Sequence, residues 1–248
     1  RRGATEVESQ GLSFYVQDSF QLGDWVFNAG IRAERYEHFA STSESLYTFP
    51  WTWAPRLSVV YDLKGDGRQK LSAFYGKYYD PIRTNMTDFA GTLTGPVRQY
   101  QVLALGEWVP YLTYGGAQNP SAIFAPTTRK PRTDDLQIGY EVELAPNTSF
   151  EVLYTKRRTR DILEDYELSL YAFRDDGTTN YPGPVDHPDS LFLGLDYFGF
   201  DHFPPSNFVI ATLAGAKRDY QGVELIFRKR YSKNWQILAA YSYNDAEG

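Results

Sequence analysis

The sequence predicts an all-β fold: an antiparallel up-and-down transmembrane β-barrel, of which this chain carries about eight strands. Three observations predict it. Apolar and polar residues alternate with period two in eight separate stretches, tight turns and long connections alternate between those stretches, and Trp and Tyr collect at both strand ends. Period two gives a strand two chemically distinct faces. Helical periodicity is convincing nowhere.

The first strand is carried by Leu12, Phe14 and Val16 and ends in the turn Leu22-Gly23-Asp24. The second sets Trp25, Phe27, Ala29, Ile31 and Ala33 against Asn28, Gly30, Arg32 and Glu34. After a connection near 38–51 come Leu57, Val59 and Tyr61, the turn Lys64-Gly65-Asp66-Gly67, then Leu71, Ala73 and Tyr75. A long connection over 80–133 leads to the clearest alternation, Leu136, Ile138, Tyr140, Val142 and Leu144 against Asp135, Gln137, Gly139, Glu141 and Glu143. Ala145-Pro146-Asn147-Thr148 turns the chain into Phe150, Val152 and Tyr154. A connection over 161–217 precedes Val223, Leu225 and Phe227, the turn Ser232-Lys233-Asn234, and Trp235, Ile237, Ala239 and Tyr241. Gly and Asn in these turns can take positive φ, and Pro presets a corner.

Short and long connections alternate strictly, which is the layout of an outer-membrane barrel with periplasmic turns and extracellular loops. In such a barrel the apolar face meets lipid and the polar face lines the interior. The second set comprises Arg32, Glu34, Arg56, Asp62, Asp135, Glu141, Glu143, Glu151, Glu224 and Arg228, ions of both signs that suit a hydrated or plugged interior. Trp25, Tyr61 and Trp235 beside the turns, and Tyr36, Trp53 and Tyr78 beside the connections, are expected to form two membrane-interface belts. Lys77, Lys156 and Lys229 share the parity of the apolar residues but stand near strand ends, where their stems can snorkel. By stroke counting, both ends of the chain lie on the extracellular side. The chain is therefore expected to be a section, residues 1–248, of one larger barrel domain.

Composition excludes other classes. The 248 residues have no run of about 18 apolar residues that a spanning helix needs. Twenty Tyr, 16 Phe and 5 Trp are too many rings for a disordered chain, and a net charge of −6 leaves no basic footprint for nucleic acid. There is no Cys, hence no disulfide or thiolate chemistry.

Gly11 to Phe20, GLSFYVQDSF, with Trp25 to Arg32, WVFNAGIR, resembles the barrel of TonB-dependent outer-membrane receptors, including the large Oar-type receptors. Pro55 to Asp80, Thr133 to Leu144 (TDDLQIGYEVEL) and Tyr220 to Ser242, with QGVELIFRKR and WQILAAYSY, are similar to the same family's strands. The resemblance spans the strand regions and fails in the two longest connections. It implies a barrel of 22 strands in the bacterial outer membrane. An N-terminal plug and a TonB-binding box, neither visible here, would complete it. It further implies energy supplied through TonB by parts of the receptor outside this stretch, and an unknown solute as ligand. A passive porin or adhesin-type barrel without a plug is the alternative, and a soluble β-rich binding protein a third reading.

No catalytic residue, metal site or cofactor is expected. The three His (38, 187 and 202) have no ligand spacing, and Asp134 and Asp135, adjacent in a strand, point to opposite faces. Asp175, Asp176, Asp186, Asp189, Asp196 and Asp201 lack the ligand order of a Ca²⁺ loop and suit a solvated acidic loop. The connections do have binding character. Trp108, Tyr111 and Tyr114 in one, and Tyr197, Phe198, Phe200 and Phe203 in the other, are candidate ligand-contact residues of an extracellular vestibule, because rings offer contact area at low entropy cost.

Overall fold

Four tight turns decide which strands pair. Gly23 has φ +58°, Asn147 +65°, and Lys233 and Asn234 take +51° and +63°, the left-handed pair that matches the twist of flanking strands. The longer turn after Asp62 is closed by that side chain, whose carboxylate accepts the N–H groups of Lys64, Gly65 and Gly67.

The computed structural model describes residues 6–91, 98–104, 106–114, 122–181, 183–186 and 192–248. In order these form β1 (Glu8–Leu22), β2 (Trp25–Phe39), β3 (Ser45–Asp62), β4 (Gln69–Tyr79), α1 (Thr84–Gly91), β5 (Arg98–Ala104), β6 (Glu107–Tyr114) and β7 (Ile123–Phe124). There follow β8 (Arg132–Ala145), β9 (Thr148–Arg160), β10 (Leu163–Glu167), α2 (Leu168–Tyr171), α3 (Leu195–Phe198), β11 (Phe208–Thr212), β12 (Arg218–Ser232) and β13 (Trp235–Glu247). The main sheet has eight strands in the order β1-β2-β3-β4-β8-β9-β12-β13, every pair antiparallel. These are the eight predicted strands in their predicted order. The sheet does not close: among the described residues β1 and β13 each pair on one side only.

The structure shortens the first expected loop. Most of 38–51 is strand, because β2 and β3 stay paired out to Phe39 and Ser45 and leave only 40–44 as connection. The alternation was hidden by a bulge, where Glu34 pairs Thr52 but Tyr36 pairs Phe49. The extra β3 residue there shifts parity, and Pro50, with no N–H to donate, is tolerated at the break.

The other two connections, 80–131 and 161–217, contain structure the alternation did not reveal. β5 and β6 form a two-stranded ribbon, β10-β11-β7 a small three-stranded sheet, and α1, α2 and α3 are short helices. The buried core lies in these connections. One cluster joins Phe49 of β3 to Ile82, Ala90, Ala122, Phe124, Leu163 and Ile210. A second holds Tyr166, Leu168, Phe198, Val209 and Ala211.

Candidate transport wall and ligand vestibule

Register separates the two faces of the main sheet. On one face Phe14, Ala33 and Trp53 lie side by side, as do Leu225, Val152 and Tyr140. Leu12, Val16, Leu57, Ile138 and Ile237 on this face are exposed in the chain, so this is the surface that needs an apolar surround. Trp25 stacks on Tyr61 with centroids 4.2 Å apart, Phe14 lies 6.1 Å from Trp53, and the Lys229 ammonium sits 4.4 Å over the Trp235 ring.

The opposite face is polar and concave. It bears a half-open hollow of about 560 Å³ lined by Gln17, Asn28, Arg32, Arg56, Ser58 and Phe74 among others. Arg32 donates to Glu34 and Ser13, both at 2.9 Å, and Asn28 donates to Ser58 at 3.0 Å. Arg157 donates to Asp135 at 3.1 Å on this side, whereas Asp134 accepts from Tyr75 on the other. Adjacent carboxylates thus serve opposite faces, as period two requires.

Two residues expected in the interface belts belong to the concave face instead. Tyr36 has the parity of Arg32 and Glu34 and lies over Gly11, where a Cβ would come 2.5 Å from the ring. Tyr78 has the parity of Phe74, and Arg56 stands 4.6 Å over its ring. Position near a strand end suggested a belt, but parity decides the face.

The connections fold onto the concave face at the end opposite the tight turns. Lys130 is their strap. Its ammonium donates to Thr52 at 2.9 Å, lies 3.7 Å from Glu34 and 4.7 Å over the Tyr36 ring, and only 5% of the residue is exposed. Burial pushes the Lys130 pKa down, and Glu34 partly restores it. His38 is likewise buried, its Nδ1 2.9 Å from the Thr87 hydroxyl of α1 and its ring between Phe49 and Phe124. Sequence reasoning gave no signal for Lys130, a single cation just before a strand. Nor did it anticipate that His38 would be a packing residue.

The candidate ligand residues divide. Phe198 is fully buried, packed edge-on against Tyr166 at 5.1 Å. The Tyr197 hydroxyl donates to the Thr212 carbonyl at 2.6 Å, and Phe200 and Phe203 pack on the same cluster. Of these four rings Phe198 is interior to the 161–217 connection and so is not a surface contact residue, whereas Tyr197, Phe200 and Phe203 are half-buried around it. Trp108 and Tyr111, by contrast, are 66% and 73% exposed on the β5–β6 ribbon, with Tyr100 beside them at 50%. The side chain of Tyr114 lies outside the described residues, as do His187 and Asp189. Of the acidic set, Asp176 accepts from Thr178, which holds its pKa down, and Asp175 accepts the Phe203 N–H. Asp176 thus closes a turn, and Asp175 ties together two stretches of the connection 28 residues apart. Among the described residues no three His or carboxylate side chains converge as a metal site would need.

An antiparallel wall with an apolar outer face, an ionic concave face, turns at one end and folded connections at the other is that of an outer-membrane β-barrel. The family model described as "TonB dependent receptor-like, beta-barrel" matches residues 2–248, and the chain belongs to that family. It is 22% identical over 276 residues to the TonB-dependent transporter Oar of Myxococcus xanthus, covering 98% of this chain and 24% of that protein. The chain thus spans about a quarter of this relative's length. Among solved structures, the FrpB iron transporter of Neisseria meningitidis (F5-1 variant, apoprotein form) is similar with TM-score 0.59 at 10% identity, over 98% of this chain and 27% of that one. The ferripyoverdine receptor of Pseudomonas aeruginosa, bound to ferripyoverdine, gives 0.52 at 14% identity, over 97% and 23%. At such identities the likeness carries the fold, and the family is one of receptors and transporters of the Gram-negative outer membrane.

Proposed function

We propose that this chain is wall and vestibule of a receptor that captures a solute at its extracellular connections and passes it across the outer membrane with energy delivered through TonB. The observation that carries the reading is the asymmetry between the ends. One end has turns of a few residues; the other carries two long connections that pack onto the concave face and raise a ribbon with Tyr100, Trp108 and Tyr111 exposed. Such rings supply contact area with few rotors to freeze. The tight turns then face the periplasm, and Trp25, Tyr61, Trp235 and Trp53, all on the apolar face, mark the two membrane interfaces. The relatives' names suggest the solute class, since FrpB is an iron transporter and the pyoverdine receptor holds an iron chelate.

The polar hollow would equally suit a passive pore, so the test must separate the two. Liposomes carrying the whole receptor should stay closed to small sugars, and the receptor should cross-link to the periplasmic domain of TonB. Sugar-driven swelling with no cross-link would favour the porin reading.

A further inference from the structure

Three consecutive outward positions near the end of β9 are cationic. Phe150, Val152 and Tyr154 continue the apolar face, and Lys156, Arg158 and Arg160 follow on the same parity, successive side chains about 7 Å apart. Their neighbours across the sheet identify the face: Lys156 is opposite Leu136, and Arg158 lies between Asp134 on β8 and Asp219 on β12.

The carboxylates nearby are already engaged. Asp219 takes both Arg160 nitrogens, at 2.6 and 3.1 Å. Asp134 accepts from the Tyr75 hydroxyl and pairs with Lys77 at 3.7 Å, and Asp161 pairs with Arg132 at 3.2 Å. Among the described residues Lys156 and Arg158 make no salt bridge. The other end of the same face differs: Lys229 there is covered by the Trp235 ring and hydrogen-bonds Ser232. Lys229 is thus a single cation held by a ring and neutral oxygens, whereas two neighbouring outward cations without a salt bridge, Lys156 and Arg158, stand at the end that carries the connections. There the cost of an outward cation falls to nearly nothing, and its stem can lie along the aliphatic wall. A cation pair at the polar–apolar boundary of a bilayer complements anionic lipid headgroups.

We propose that Lys156 and Arg158 form a binding site for the phosphate groups of an outer-leaflet lipid headgroup, held on the outside of the barrel. The site rests on the placement of this face in the outer membrane and is independent of which solute the connections take.

The test uses whole receptor in detergent, titrated with bis-phosphorylated lipid A and followed by native mass spectrometry. At about fivefold per interfacial cation, the K156Q/R158Q double variant should bind about twenty-five-fold more weakly than wild type. R157Q removes the same charge from the next position but on the concave face, and should bind as wild type does. Dephosphorylated lipid A should not distinguish the three proteins. Undiminished binding by the double variant, or an equal loss in R157Q, would overturn the proposal. Displacement of the lipid by millimolar inorganic phosphate would also overturn it, indicating a free-anion site. If the double variant fails to insert, heat-modifiable gel migration of wild type decides. Lipid A, and not its dephosphorylated form, should raise the temperature at which the folded band is lost; equal shifts would refute the site.

Discussion

The β5–β6 ribbon and the β10–β11–β7 sheet of the connections carry the same kinds of residue and end in opposite arrangements. The second buries Phe198, Tyr166 and Leu168 around Val209 and Ala211; the first lifts Trp108 and Tyr111 into the open. The difference lies in the number of strands. β11 is a β-branched, apolar segment that pairs with β10 on one side and β7 on the other, which makes a sheet with a face to cover. The ribbon has two strands, and its pairs Val102–Val109 and Leu103–Trp108 fall on opposite faces, so no single neighbour could bury both. A run of rings therefore stays exposed only where no third strand arrives.

The comparison is broken most severely at the buried ring. Phe198→Ala should cost about 3–5 kcal/mol of local stability, read as lost hydrogen-exchange protection of the β11 amides; unchanged protection would mean the ring is not core. Glu34→Gln comes next. It leaves the buried Lys130 ammonium without its carboxylate and should loosen the 122–131 segment by about 2–3 kcal/mol, measured by proteolysis at Arg129. The pH sign follows from the direction of the shift. Lys130 has a folded pKa below its ordinary 10.5, so the fold binds fewer protons than the unfolded chain there. Docking should tighten as pH rises through the folded value toward 10.5, and Glu34→Gln should move the onset of that gain to lower pH.

Thr87→Val is the smaller structural change. It removes the hydroxyl facing buried His38 and should cost about 1–2 kcal/mol, seen as earlier exchange of the α1 amides. Smallest for stability is Trp108→Ser with Tyr111→Ser, within about 0.5 kcal/mol of wild type in thermal unfolding, because exposed rings lose no packing. If the ribbon serves the capture proposed above, this pair should nevertheless lose competitive growth toward the level of a receptor-deleted strain when the captured solute limits. Full fitness would leave the ribbon without a part in capture.

Much of the wall was legible in the alternation. Eight strands, their order, their four tight turns and the opposed faces of Asp134 and Asp135 follow from period two and turn chemistry, both of which are local. Errors arose where locality ends. The bulge after Glu34 shifts parity and disguises the start of β3 as loop, and distance from a strand end points Tyr36 and Tyr78 to a belt where parity turns them inward.

By itself the amino-acid order determined a two-faced sheet and its winding, because each strand needs only its own alternation and the turn that follows. Only the tertiary structure decided which rings of the connections are interior and which are offered outward, and that Lys130 and His38 fasten the connections to the wall. Those outcomes depend on contacts between residues from 32 positions apart, Tyr166 and Phe198, to 96 apart, Glu34 and Lys130, and residue type alone does not distinguish a ring that finds a third strand from one that does not.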